Sequence, residues 1–392
     1  MEHNFNTAQN LKTFEKALKE NYLPVWRNGL TTEPTPLLGK IKTVPLKSDK
    51  IVAAAKVGLS GGFGFGAEGL ATPQAGPVRI DRFETNAKDM YVNIAISTKA
   101  VRLTGSGGAM ANALDTEVKG AYETAKWNVG RSLFGNGKGI LTLTTGANSG
   151  AIIPVESTKF LKEGLIVDIL TASGVVVGTS RIKSVDRVEN KVELYSTVEA
   201  ANGYIITVQN SYNREITGLG AIFDKDITTI YGVDRTNNQY LYPTEIDANT
   251  DIDDSVIWDA IENAETYKNS KIDTFMMGKD SYKHYIEYLR TNNVRVESQT
   301  KEITGGFKAI EYAFGNRTID IVYDQFVPDN EAWGIESGAL ELHTQTWDFA
   351  DLQGGGIFNL MENTSVYRAL LANYGDLICT NPGGCVRIKN CA

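Results

Sequence analysis

The sequence predicts an α+β chain with an all-β domain inserted into it, and three observations lead there. Met110, Leu114, Val118, Tyr122, Ala125, Val129 and Leu133 recur three or four residues apart until Gly135-Asn136-Gly137 stops them, which marks one long helix with a single apolar face. From Ile140 to Tyr212 the character changes abruptly to strand-sized runs separated by turns. From Ile216 onward strand and helix patterns alternate.

The elements follow in order. Ala8 to Glu20 places Leu11, Phe14 (or Glu15) and Leu18 on one face of a short amphipathic helix. Tyr22 to Pro36 contains Pro24, Gly29, Pro34 and Pro36 and reads as a strap, with Trp26 as a packing anchor. Ile41 to Val57 and Val78 to Thr98 are extended and rich in β-branched residues, with alternations such as Arg79-Ile80-Asp81-Arg82-Phe83. Paired over fifteen or so residues, they would reach roughly 50 Å, whereas a compact globule of this length has a radius of gyration of about 21 Å. Such an arm needs a partner surface, because two isolated strands are marginal in water. Gly105-Ser106-Gly107-Gly108 is a flexible joint before the long helix.

The insertion comprises Ile140 to Thr145, Leu165 to Leu170, Val175 to Ser180, Lys191 to Tyr195 and Tyr204 to Gln209, with turns at Ser173-Gly174, Glu189-Asn190 and Asn202-Gly203. That pattern suits a small barrel or sandwich of five or six strands. Beyond it, Asp254 or Ser255 caps a helix through Tyr267, Lys271 to Met277 is a buried strand, and Tyr282 to Leu289 is a second helix. Phe307 to Val327 turns as a hairpin at Gly315-Asn316; Ala332 to Thr344 and Met361 to Leu377 read as long strands, and Cys385 to Lys389 as the last.

Composition is that of an ordinary soluble chain, with 42% hydrophobic and 22% charged residues among 392. No run of eighteen apolar residues exists, and Met1 to Asn10 is polar, so neither a spanning helix nor a signal peptide is expected. The net charge is −8, yet the first fifty residues hold eight Lys or Arg against five Asp or Glu. That leaves +3 there and −11 elsewhere, too acidic for a nucleic-acid reader. Cys379, Cys385 and Cys391 match no zinc spacing and are expected as free thiols.

The motifs exclude most catalytic chemistry. Seven glycines lie between Gly58 and Gly76, and Gly64-Phe65-Gly66-Ala67-Glu68-Gly69 spells G-x-G-x-x-G with Asp89 about twenty residues on. The motif works only when its last glycine opens a helix, and Pro73, Gly76 and Pro77 forbid one there. The acidic stretch Asp247 to Asp254 lacks the glycine and the glutamate of a calcium loop and suits a helix amino terminus instead. Gly354-Gly355-Gly356 is a turn, since no Lys follows at P-loop spacing. His3, His284 and His343 lie far apart, and no serine sits in a nucleophile elbow. No enzyme activity, cofactor or metal is expected.

At Ile216 to Asp224, with Leu241-Tyr242-Pro243 after it, and again from Tyr367 to Leu377, then Pro382 and the strand through Ile388, the chain resembles major capsid proteins of tailed double-stranded DNA bacteriophages. The element order strengthens the resemblance over nearly the whole chain. It implies the Hong Kong 97-type capsid fold: an amino-terminal arm (1–40), an extended loop (41–98), a peripheral domain with a spine helix (99–139), an inserted β domain (140–215), an axial domain (216–330), peripheral return strands (331–377) and an axial carboxy-terminal strand (378–392). It also implies a non-enzymatic shell subunit of pentamers and hexamers in the virion, assembled in the host cytoplasm. Its partners would be itself, enclosed DNA, and scaffolding, portal and decoration proteins, with no membrane. An arm starting at Met1 suggests a separate scaffold or none. Trp26, Gly58, Phe63, Phe65, Gly66, Arg79 and Phe83 are the candidate contacts between subunits. Some relatives crosslink a hairpin lysine to a neighbouring asparagine; Lys47, Lys50 and Lys56 lie on the hairpin here and Asn363 and Asn373 in the far strands, but no catalytic acid aligns with them, so the crosslink is not expected. The competing readings are an encapsulin-type nanocompartment shell and, more remotely, a nucleotide-binding enzyme built on Gly64 to Gly69.

Overall fold

A computed structural model describes residues 15–16, 18–58, 61–69, 72–97, 107–148, 150–292, 300–303, 306–350, 356–362 and 364–391. The chain divides into two compact units, Arg131–Ala221 and the remainder on either side of it.

In the larger unit, helix α1 (Leu23–Thr32) replaces the strap expected from the prolines. A π turn over Leu18–Tyr22 runs directly into it through Tyr22, whose backbone is also helical, and Pro24 falls at this seam without breaking the helix. Leu23, Trp26 and Leu30 are its buried face. Strands β1 (Lys42–Pro45), β2 (Lys50–Lys56), β3 (Ile80–Asn86) and β4 (Lys88–Ser97) follow. The long helix α2 runs over Gly107–Phe134, 28 residues or roughly 42 Å. Its Val118 and Ala125 join Trp26, Leu30, Ile94, Ala369 and Leu371 in one core cluster. The helices cross closely there: a Cβ on Gly29 would stand 1.8 Å from the Tyr122 hydroxyl. That hydroxyl donates to Glu33, which also pairs with Lys126 at 3.0 Å.

The smaller unit holds β5 (Ile140–Leu143), β6 (Ile152–Pro154), β7 (Ile166–Leu170), β8 (Val176–Asp186), β9 (Lys191–Leu194) and β10 (Ile205–Val208), ordered β5-β10-β7-β8-β9-β6. The Thr145 N–H donates to Pro154 O at 3.0 Å and the Glu156 N–H to Leu143 O at 2.9 Å, which joins the ends of β5 and β6 and closes a six-stranded barrel. Ile153, Val167, Ile169, Ile182, Val192, Leu194 and Ile206 are buried in this unit. The expected turns bring Gly174, Asn190 and Gly203 into the left-handed region, with φ of 86°, 51° and 78°. Strand β6 is absent from the sequence reading because three residues ending in proline carry no periodicity.

The chain re-enters the larger unit through the end of α3 (Leu219–Phe223) and a two-residue hairpin of β11 (Thr229–Ile230) and β12 (Val233–Asp234). Then come β13 (Thr244–Asp247), α4 (Asp254–Lys268), β14 (Thr274–Met277) and α5 (Lys279–Thr291). The cap of α4 is Asp253, one residue before the expected pair, whose carboxylate accepts from the Val256 N–H at 3.0 Å. Next are β15 (Thr300–Ile303), β16 (Phe307–Phe314), β17 (Arg317–Tyr323), β18 (Ala332–Ile335), β19 (Leu340–Thr344), β20 (Asp348–Phe349), β21 (Asn359–Leu360), β22 (Val366–Cys379) and β23 (Val386–Lys389).

Two sheets result. One, ordered β13-β23-β18-β14-β17-β16-β15, packs against α4 and α5 over a core that includes Ile257, Ile261, Phe275, Tyr285 and Ile321. The other is built on β22, which pairs β4 over ten residues, β19 at its far end, and β20 and β21 along its other edge; β1 pairs β19 in parallel.

This topology corrects three expectations. The two-stranded arm is only seven pairs long, Lys50↔Asn86 to Lys56↔Ile80, or roughly 23 Å. Its outer parts, β1 and β4, belong to the β22 sheet instead. Ala332 to Thr344 is not one strand: a 3-10 turn at Ser337–Ala339 separates β18 in the first sheet from β19 in the second. Asp273 fixes the break by accepting from the Ser337 N–H and hydroxyl. The amphipathic face at Leu11 and Phe14, the joint at Gly105 and Ser106, Gly354, Gly355, Asn363 and His3 lie outside the described residues.

Candidate functional site

Between β2 and β3, residues 61–69 and 72–75 pack little on their own chain. The base of this segment is firmly held. Ile51, Ala53, Ala55 and Phe83 are buried on one face of the ladder, and Ala53 is directly opposite Phe83. Phe83 is 0% exposed and stacks on Tyr231 at 5.7 Å. Tyr231 and Gly232 both have positive φ, 49° and 76°, as the two-residue turn between β11 and β12 requires. The Glu84 N–H donates to Tyr231 O at 2.9 Å, so this turn clamps the strand beside Phe83.

Polar contacts complete the base. Asp81 accepts from the Tyr240 hydroxyl and pairs with Arg79 at 2.9 Å. Arg79 also reaches Asn238 at 3.1 Å and lies over the Tyr240 ring. The Tyr240 hydrogen bond, helped by Arg79, holds the Asp81 carboxyl below its ordinary value of 3.8 against the opposing effect of burial. Burial and the neighbouring carboxylate push Tyr240 up to about 12. A depressed carboxyl stabilises the fold above its ordinary value and loses that contribution as pH falls below it. Hydrogen exchange in β2 and β3 is therefore expected to quicken relative to the rest of the chain below about pH 4, and Asp81→Asn to flatten that dependence; an unchanged acid response in the variant would refute the role given to Asp81.

Beyond the base the chain leaves its own body. The Val57 N–H donates to Arg79 O at 2.9 Å, and past that pair the two limbs approach closely at glycines. A Cβ on Gly76 would come within 2.9 Å of the Gly61 backbone, and one on Gly64 within 2.9 Å of Pro73. Residues 61–69 and 72–75 are all exposed. Phe63 and Phe65 touch each other edge to face at 5.4 Å and are 82% and 96% exposed. Gly66 has open space around it, and Gly58 faces the Arg79 stem.

The seven sequence candidates thus separate. Trp26, 4% exposed, and Phe83 lie within the chain's own core, and Arg79 is engaged at the arm base. Gly58, Phe63, Phe65 and Gly66 remain on the outward segment. Periodicity already separates the aromatics: Trp26 keeps helical spacing with Leu23 and Leu30, and Phe83 stands between polar Arg82 and Glu84 in strand alternation, whereas Phe63 and Phe65 stand among glycines. Among the described residues no helix opens between Gly69 and β3, and Asp89 lies in β4 opposite Tyr374. Asn373 is buried with its amide bonded to Gln345 O and Thr344, and Lys50 pairs with Glu84. His284 meets Asp251, and His343 meets Glu341. Cys379, Cys385 and Cys391 are free and buried. Among the described residues no three His, Cys, Asp or Glu gather as a metal site, and no helix is long and apolar enough to cross a membrane.

The fold is similar to that of the cyanophage A-1(L) capsid asymmetric unit, with a TM-score of 0.53 at 12% identity over 91% of this chain and 92% of that one. This is the Hong Kong 97-type capsid fold. Weaker likenesses to the same capsid fold include the capsid of a native GTA particle (TM-score 0.46, 10% identity, 91% and 90% covered) and the holo-SrpI encapsulin complex from Synechococcus elongatus (0.46, 8%, 89% and 85%). Neither a protein-family model nor a curated protein matches the sequence, so the capsid fold here is recognised through its three-dimensional arrangement.

Proposed function

We propose that this chain is the major capsid protein of a tailed bacteriophage, a structural subunit without catalysis that assembles into the pentamers and hexamers of an icosahedral head around double-stranded DNA. In this reading the β22 sheet with α2 is the peripheral domain, the β14 sheet with α4 and α5 the axial domain, residues 50–86 the extended loop, and the barrel of Arg131–Ala221 an inserted domain. The observation that carries it is the outward segment at 61–69 and 72–75. A clamped base and an unsupported aromatic end make sense when the end is ordered by another copy, since burying two phenylalanines is worth several kcal/mol, on the order of 1.5–3 each. Heterologous contacts of this kind close rings. Self-assembly, a place in the virion and assembly in the host cytoplasm follow from the same reading; scaffolding, portal and decoration proteins are further partners it admits.

The contents of purified particles test the reading. Nuclease-protected double-stranded DNA in particles from infected cells is the expected result. Particles that instead enclose a single enzyme and no DNA would make the chain a nanocompartment shell.

A further inference from the structure

Helix α5 buries Ser281, Tyr285 and Leu289 and turns the opposite side outward. There Lys279, Lys283, Ile286 and Arg290 follow at spacings of four, three and four, so they form one stripe along roughly 16 Å of helix. Beside the stripe, the Tyr282 ring packs against Tyr323 of β17 at 5.8 Å. These side chains line a shallow groove of about 400 Å³, with Glu287 at its edge.

The charge of this groove runs against the chain. The protein carries −8, yet the groove sets three cations against one carboxylate. Lys283 reaches Glu287 only at 3.8 Å, with both side chains more than half exposed, a pairing worth little. Lys279 and Arg290 have no ion pair among the described residues. At the far edge of the same sheet, by contrast, Glu245 alone engages Lys225 and Lys389.

Between the cations the floor is Ile286, Tyr282 and Tyr323, all partly open to solvent. Nucleic acid fits this poorly: the Tyr282 ring is turned onto Tyr323 rather than free to stack on a base, and the cations are spread along the helix rather than converging on one phosphate. An apolar floor with a cationic rim about three helical turns long is the complement of an amphipathic helix that carries carboxylates beside its apolar face. We propose that the α5 groove docks an acidic amphipathic helix of about three turns from a partner protein, its apolar side on Ile286, Tyr282 and Tyr323 and its carboxylates toward Lys279, Lys283 and Arg290. This inference stands apart from the capsid reading, since it concerns one surface of a single subunit.

The test uses the full-length chain and a fluorescein-labelled synthetic helix with glutamates at i, i+4 and i+7 flanking leucines, followed by fluorescence anisotropy at low and high salt. The expected result is saturable binding that weakens with salt, falls at least about tenfold in the Lys283→Glu, Arg290→Glu double variant, and falls at both salt concentrations in Ile286→Ser. Glu287→Gln is expected to tighten it. Both cations are exposed, so thermal unfolding of the double variant should match the parent and exclude misfolding. Absence of binding, binding that ignores these substitutions, or a short DNA duplex that binds as tightly and is lost in the same double variant would overturn the proposal.

Discussion

Replacing Phe63 and Phe65 together by aspartate is expected to leave a folded subunit that no longer closes shells. Both rings are almost wholly exposed and pack on each other, so the subunit loses little that holds its own fold. Thermal stability should stay within about 0.5 kcal/mol of the parent. At an interface the same rings would be desolvated together, and a pair of buried carboxylates in their place costs several kcal/mol per contact, on the order of the desolvation penalty of an unpaired charge. Repeated at every contact of a shell, that penalty stops closure. Sedimentation velocity distinguishes the outcomes: slow-sedimenting subunits for the variant against fast particles for the parent. Normal particles from the variant would remove the outward segment from the assembly account.

The second large effect lies at the other end of the arm. Phe83→Ala is expected to cost about 3–5 kcal/mol, because it leaves a cavity under the ladder and takes away the ring stacked on Tyr231. The cost should appear as a shifted denaturant midpoint at unchanged slope. The arm should also lose its fixed exit, since the clamp at Tyr231 O holds the strand beside Phe83. A loss below about 1 kcal/mol would mean that the polar contacts of Asp81 and Arg79 hold the base without the ring. The two variants separate the arm's two roles: Phe83 is needed to fold its base, Phe63 and Phe65 to engage what lies beyond.

Local rules made some of this architecture readable and left the rest hidden. Helix α2 was legible because one apolar face recurs at helical spacing from Met110 to Leu133. The barrel turns were legible because Gly174, Asn190 and Gly203 stand where left-handed backbone is required. The partner of a strand is not a local property. Ile41 to Val57 and Val78 to Thr98 alternate in the same way whether they pair with each other or with β19 and β22, and only the middle seven pairs belong to the hairpin. The break at Ser337 depends on Asp273, some sixty residues earlier, and leaves no mark in the run from Ala332 to Thr344. Pro24 is ambiguous for a related reason: its effect depends on position, and here it falls where the π turn over Leu18–Tyr22 passes into α1.

The candidate surface was half legible. The glycines of Gly58 to Gly76 point to a pliable segment, and the two phenylalanines among them lack any periodicity that would bury them. Trp26 and Phe83 are aromatic in the same way but carry helical and strand spacing, and that spacing is what takes them into the core.

Electron microscopy of the assembled protein tests the central claim most directly. The predicted result is closed shells with fivefold and sixfold rings, in which Phe63 and Phe65 of each subunit lie buried against its neighbour. Dispersed subunits under conditions that support assembly, or shells in which residues 61–69 fold back onto their own chain, would contradict it.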